Sequence, residues 1–290
     1  MAFTTYVKLQ LNTLLKPIGL EVGTTLKRRL EAARIQRLQS VGHWTKPRYD
    51  EGLNINSEAS LEFLRQNCAP YRADYLNFPR SPNGDVNQFH LNNGWFGQVD
   101  AELLYGIIRQ QKPRTVFEVG SGFSTRLMLC AIRDENLSTA ITSVDPEPRV
   151  AIAHCVAEHI ATPIEQVDPA RIIDSLEEGD LLFIDSSHCI TTGGDVPYLL
   201  LEVLPKLRKG VLIQIHDIFL PFDYPEEWVS AGWGWGEQYL VHGFLCYNNA
   251  FEILWPARYM WEYHRSALLD LIPAAANVFP PSSLWLKKLR

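Results

Sequence analysis

Phe117-Glu118-Val119-Gly120-Ser121-Gly122-Phe123-Ser124-Thr125 is the stretch on which the fold turns. An apolar run, Thr115 to Val119, ends in two glycines one residue apart, and a helical pattern begins at Ser124. Glycines at a strand end let the backbone turn tightly and approach a ligand, and the following helix aims its free N–H groups at the same place. A nicotinamide enzyme places a third glycine in such a turn for close helix packing; here Thr125 holds that place. Glu118, two residues before the first glycine, would repel a pyrophosphate and attract a sulfonium amino acid with a free ammonium. The charge favours S-adenosylmethionine over NAD, with Glu118, Gly120, Ser121, Gly122 and Ser124 as its contacts.

Working outward, three more runs have the look of fully buried parallel strands: Ala140 to Val144, Asp180 to Ile184 and Val211 to Ile215. A weaker strand is predicted at Pro163 to Val167, and helices at Ser124 to Asp134, Arg149 to His159 and Asp195 to Leu207. Upstream, Ser57 caps a helix running to Asn67, and Asp100 caps one that Pro113 stops. Downstream come a helix at Glu237 to Leu245 and strands at Phe251 to Trp255 and Leu284 to Lys288. Repeated βα units imply right-handed crossovers and a doubly wound α/β sheet. Ligands of such sheets sit beyond the carboxyl ends of the strands.

The strand ends are therefore where chemistry is sought. The second strand closes in Asp145-Pro146, where a carboxylate can accept both hydroxyl protons of a ribose. Asp168 is a candidate for the adenine side. The later strands end in Asp185-Ser186-Ser187-His188 and His216-Asp217. Adjacent strands lie about 5 Å apart, so Asp185 and Asp217 are close enough to share a divalent cation through oxygen ligands. Strand-end aspartates also cap turns, and a loop histidine can simply hydrogen-bond its own loop.

Four blocks in this order, Phe117 to Thr125, Ser143-Val-Asp-Pro-Glu-Pro-Arg149, Phe183-Ile-Asp-Ser-Ser-His188 and Gly210-Val-Leu-Ile-Gln-Ile-His-Asp-Ile-Phe219, resemble a bacterial branch of the class I S-adenosylmethionine-dependent methyltransferases. The similarity runs from about Gly94 to the C-terminus. It implies a seven-stranded sheet of order 3-2-1-4-5-7-6 with the last strand antiparallel. The strand-end residues are similar to those of metal-dependent sugar O-methyltransferases of macrolide pathways. That resemblance implies O-methylation of a hydroxyl on a small metabolite or glycosyl unit. In that picture Asp185 and Asp217 bind Mg2+ or another divalent cation, His188 takes the substrate proton, and Asp185 and Ser186 also face the cofactor. His216 stands where the family has a carboxylate and joins the metal set. A nicotinamide-dependent oxidoreductase and a non-catalytic cofactor-binding protein are the alternatives.

Around this core the chain divides, on sequence, into a helical and irregular extension at 1–95 and a sheet domain at 96–290. Residues 1–48 hold nine Lys or Arg against two Glu, and the remainder 18 against 31. Within the basic part, Leu26, Leu30, Ala33 and Leu38 fall near helical spacing among five Lys or Arg residues, predicting a basic amphipathic helix at Thr25 to Gln39. It would dock on the acidic remainder, on a dimer mate of a homo-oligomer, or weakly on a membrane surface. The acidic remainder disfavours nucleic acid. No apolar run reaches the roughly 20 residues of a spanning helix, and 1–10 lacks a secretory pattern, which makes the cytoplasm the expected location. The five cysteines lack a Cys-x-x-Cys pair and read as reduced. Two aromatic stretches, Phe89 to Phe96 and Trp228 with Gly232-Trp-Gly-Trp-Gly236, suit a lid over the crevice. Glu237 follows the second and is read as capping its helix.

Overall fold

β1 (Thr115–Val119), β2 (Ala140–Val144), β3 (Glu158–Ile160), β4 (Leu181–Ile184), β5 (Leu212–Ile215), β6 (Phe251–Pro256) and β7 (Leu284–Lys288) form one sheet in a computed structural model of the chain. Their order is β3-β2-β1-β4-β5-β7-β6, the order implied above. The first five strands run parallel, and β7 lies antiparallel to both β5 and β6. The structure describes residues 7, 11, 13–15, 17, 25–82, 84, 88–152 and 154–290. The 1–10 reading lies almost wholly outside them.

The helices that matter are α1 (Thr25–Ser40), α2 (Ser57–Cys68), α3 (Asp100–Gln111), α4 (Phe123–Asp134), α5 (Pro169–Ser175), α6, which starts as Asp195–Pro197 and continues through a π-type stretch at Tyr198–Val203, and α7 (Glu237–Leu245). Successive strand residues point to opposite sheet faces, and the core divides accordingly. Val116 and Phe183 pack with Leu64 of α2, Leu104 of α3 and Leu127 of α4 on one face. Phe117, Val119 and Leu182 pack with Ile172 of α5, Leu199 of α6 and Val241 of α7 on the other. The central strands β4 and β5 are buried throughout, as two-sided coverage demands.

Register sets the functional rim. Val119 pairs with Val144 and with Ile184, and Ile184 pairs with Ile215. Gly120, Asp145, Asp185 and His216 therefore leave the sheet at one level, four neighbours along one edge.

Several local expectations are corrected. The predicted helix Arg149 to His159 is absent: Glu158–Ile160 is strand β3, and residue 153 lies outside the described set. The parallel pairing of Ser143 with His159 and Val144 with Ile160 overrides a weak local helical pattern. The predicted strand Pro163 to Val167 is a 3-10 turn at Ile164–Gln166. Asn56, not Ser57, caps α2, its side chain accepting from the Ala59 N–H at 3.1 Å. Asp100 does not cap α3. Its buried carboxylate accepts from the Ser282 and Ser283 N–H groups, and the Val99 N–H donates to Glu102 instead.

Two compact units emerge, Met1–Lys46 with Tyr224–Trp233, and Pro47–Asp223 with Gly234–Arg290. The break at residue 46 differs from the one expected at 95, because Leu64, Cys68, Tyr75 and Phe89 are core residues of the larger unit. In the smaller unit α1 forms as expected, but among its described side chains Leu30 and Ala33 are exposed, whereas Ile35 and Leu38 are half-buried. Gln39 donates to Glu226 at 2.7 Å, and the Trp44 indole N–H donates to the Tyr224 carbonyl at 2.9 Å. No helix among the described residues is long and apolar enough to cross a membrane.

Candidate active site

A crevice of about 400 Å³ opens beyond the ends of β1, β2, β3 and β4. Gly120, Ser121, Asp145, Pro146, Asp185 and Ser186, all named from the sequence as cofactor contacts, line it. Gly120 has φ +76°, and a Cβ placed there would stand 1.9 Å from the Asp185 carbonyl oxygen. Only glycine lets β1 and β4 deliver their turns this close together. The Asp145 carboxylate holds the turn: one oxygen accepts from the Ser121 N–H at 2.9 Å and the Ser121 hydroxyl at 3.0 Å, the other from the Glu147 N–H at 2.8 Å. Glu147, Arg149, Ile164, Glu165, Ser187, Thr191 and Asp195 also line the crevice and were not singled out in the sequence. Nothing local marks them, since they come from loops whose course is set by the sheet.

Four expected contacts lie elsewhere. Asp168 is exposed and caps α5, accepting from the Ala170 N–H at 2.9 Å. Glu165, three residues earlier, occupies the crevice wall in its place. Gly122 and Ser124 belong to the start of α4 and do not line the crevice. Glu118 is fully buried behind it, accepting from the Ser124 hydroxyl at 2.8 Å and the Thr125 hydroxyl at 2.7 Å. The reason is strand alternation: residue 118 shares the face of Val116, toward α4, whereas Phe117 and Val119 share the other. Glu118 thus ties the first turn of α4 to β1 and does not touch the crevice.

Burial raises the Glu118 pKa to about 8, against the opposing pull of the surrounding hydroxyls. A group whose folded pKa is raised contributes stability that is full below its unfolded value, about 4.3, and is lost as pH rises through 8. E118Q carries no such titration. Its melting temperature relative to the unsubstituted protein should therefore climb between pH 5 and pH 8.5 in scanning calorimetry; a constant difference is the contrary result.

At the neighbouring rim, His188 and Asp217 both adopt left-handed backbone, φ +58° and +55°, a rare state for residues other than glycine. His188 is held on all sides. Its Nδ1 meets the fully buried Glu237 carboxylate at 2.8 Å, its Nε2 faces Asp185 at 3.3 Å and Asp217 at 3.7 Å, and the Trp235 ring packs on it with centroids 4.2 Å apart. Its carbonyl accepts from the Gly236 and Glu237 N–H groups at 2.8 and 3.1 Å. Glu237 is therefore the partner of His188 rather than a helix cap, a role its place one residue past the Gly-Trp run only hinted at.

The charges follow from this packing. Burial alone would lower the His188 pKa, but the Asp185 and Glu237 contacts outweigh it and hold the imidazole well above its ordinary value. Burial pushes Asp185 up, yet the His188 contact and the charges of His216, His188 and Arg149 bring it below the usual carboxylate range. With Nδ1 engaged by Glu237, Nε2 is the ring nitrogen that faces the rim, between Asp185 and Asp217. The metal set also changes. Ligand atoms of Asp185, His188 and Asp217 lie within 4.8 Å of one another. His216 stays out of that group: it is buried, its ring packs against Phe96 at 5.0 Å, and its Nε2 lies 3.7 Å from Asp217.

The first aromatic stretch touches one residue of the crevice wall, Arg149. Trp95 is exposed, and the Arg149 guanidinium sits over its ring at 4.0 Å. Asn93 shapes the turn that presents it, accepting from the Trp95 and Phe96 N–H groups at 2.8 and 2.7 Å. Of the second stretch, Trp235 covers His188, whereas Trp228 and Trp233 pair with each other in the smaller unit, 4.9 Å apart.

Residues 117–218 match a family described as a methyltransferase domain. A curated relative from Archaeoglobus fulgidus, named only as an uncharacterized protein, is 28% identical over 134 residues, covering 44% of this chain. The match spans 59% of that relative's length. Among solved structures, the chain is similar to an SAH-bound methyltransferase of Podospora anserina, at 14% identity and a TM-score of 0.42 over 94% of this chain and 99% of that one. It is also similar to a SAM-dependent methyltransferase from Archaeoglobus fulgidus, at 14% identity and a TM-score of 0.32 over 68% of this chain and 97% of that one. The match from Phe117 to Ile218 runs from β1 into the turn after β5, the part of the sheet whose strand ends form the crevice and the His188 rim.

Proposed function

We propose that this protein transfers the methyl group of S-adenosylmethionine to a hydroxyl on a small metabolite or glycosyl unit. The observation that carries the reading is the crevice itself, in which the Gly120 turn and the Asp145 and Asp185 carboxylates meet around one cavity. The Gly120–Ser121 backbone receives the amino-acid part of the cofactor, and Asp145 takes the ribose hydroxyls. Glu165 and Ile164 flank the adenine side. The acidic lining suits a ligand that carries both a sulfonium and an ammonium.

In the reaction the acceptor oxygen attacks the methyl carbon as the carbon–sulfur electron pair withdraws onto sulfur, giving the S-adenosylhomocysteine product. Alignment is the main task, since holding three atoms in line recovers much of the entropy of bringing two molecules together. As the new bond forms the hydroxyl becomes an oxonium, acidic enough for a carboxylate to take its proton, and Asp185 lines the crevice at that rim. Trp235 covers one side of the His188 ring at that rim. Asp185, His188 and Asp217 have the donor set and spacing to hold a divalent cation. When bound, that ion polarises the acceptor hydroxyl.

Isothermal titration with S-adenosylmethionine and S-adenosylhomocysteine tests the reading. The expected result is one site per chain binding both. Absence of binding to either, or binding of NAD in their place, removes it.

A further inference from the structure

We infer that Asp185, His188 and Asp217 form a site for a first-row divalent transition ion, which they take in preference to Mg2+, with Glu237 orienting the His188 ring. The inference deepens the proposed reading by specifying its metal, and it is tested without the reaction.

The two ring nitrogens of His188 are treated differently. Nδ1 lies 2.8 Å from Glu237, the length of a charge-assisted hydrogen bond. Nε2 faces oxygens of two carboxylates at 3.3 and 3.7 Å, both longer than such a bond. Those longer separations suit two ligands of one ion. Nitrogen and oxygen ligands sit about 2.0–2.2 Å from a small divalent metal, and at bond angles of roughly 90° to 120° they stand about 2.8–3.8 Å apart. Three atoms, Nε2 of His188, Oδ1 of Asp185 and Oδ2 of Asp217, meet that spacing from the imidazole outward.

Glu237 supplies what an imidazole ligand needs behind it. A carboxylate on the far nitrogen keeps that nitrogen protonated, turns the lone pair of the other toward the metal and raises its basicity. Glu237 is fully buried, comes from the first position of α7, and the same helix start grips the His188 carbonyl through its N–H groups. Trp235 fixes the ring plane from one side. The left-handed backbone of His188 and Asp217 turns both side chains to a common point, a conformation that packing must enforce.

The donor set decides the class of ion. One imidazole nitrogen with two carboxylates is a poorer match for Mg2+, which takes oxygen ligands and keeps several waters, than for Mn2+, Co2+ or Zn2+, which accept imidazole readily. His216 directly precedes Asp217 in the chain, yet the structure leaves that histidine outside the cluster.

The test uses the full chain, stripped with a chelator and titrated with Mn2+ and with Mg2+ by calorimetry. One Mn2+ per chain is expected, bound at least tenfold more tightly than Mg2+. H188Q should weaken Mn2+ binding a hundredfold or more, E237Q tenfold to a hundredfold, and H216Q less than threefold. Pulsed electron spin resonance of the Mn2+-loaded unsubstituted protein should show a coupled imidazole nitrogen, which keeps the question open to refutation if a variant fails to fold. No stoichiometric Mn2+ binding, equal or tighter Mg2+ binding, no nitrogen coupling, or a loss confined to H216Q each overturns the inference. A chain that binds S-adenosylhomocysteine but no Mn2+ refutes the metal site and leaves methyl transfer standing; the reverse result refutes methyl transfer alone.

Discussion

G120A should abolish measurable S-adenosylhomocysteine binding and lower the melting temperature by roughly 5–15 °C. The added methyl would stand 1.9 Å from the Asp185 carbonyl oxygen, so β1 and β4 could not keep their spacing at the rim. Residue 120 also has φ +76°, which costs a side-chain-bearing residue roughly 1–2 kcal/mol, and relieving the overlap costs about 1–3 kcal/mol more. Both effects fall on the turn that faces the cofactor. Gly122 is the internal comparison: no heavy atom lies within 4 Å of the place its Cβ would take, and G122A should cost clearly less stability. Thermal unfolding and calorimetric titration of the two variants side by side check this. Equal melting temperatures for G120A and the unsubstituted protein would mean that the turn is not as close to β4 as described.

D145A should weaken S-adenosylhomocysteine about 100-fold or more. A hydrogen bond to a charged group is worth about 1.5–3 kcal/mol, and tenfold in affinity corresponds to about 1.4 kcal/mol, so losing two ribose contacts accounts for that range. The carboxylate also holds the Ser121 backbone and hydroxyl and the Glu147 N–H, so its removal loosens the glycine turn before any ligand arrives. D168A serves as the contrast. That carboxylate caps α5 away from the crevice, so the variant should lose about 1 kcal/mol of stability and less than threefold in affinity. If D168A weakened the ligand as much as D145A, the assignment of the crevice walls would be wrong.

What the two pairs of variants share is that neighbouring, chemically similar residues separate by their place in the fold. Gly120 and Gly122 read alike in sequence, as do Asp145 and Asp168. Only the first of each pair faces the crevice.

By itself the sequence determined the strand runs β1, β2, β4, β5, β6 and β7, the helices α1, α2, α3, α4 and α7, the sheet class and the rim on which the ligand groups gather. It could do so because buried parallel strands are continuous apolar runs, and because a glycine turn and a strand-end carboxylate each leave a local mark. Tertiary structure decided the rest. Pairing with β2 made a strand of Glu158–Ile160, where the local pattern read as a helix. Strand alternation turned Glu118 away from the crevice and under α4. Packing from a helix 49 residues later brought Glu237 onto His188 and raised the histidine's pKa. These outcomes depend on which face a side chain takes and on what folds against it, and neither property resides in a residue's immediate neighbours.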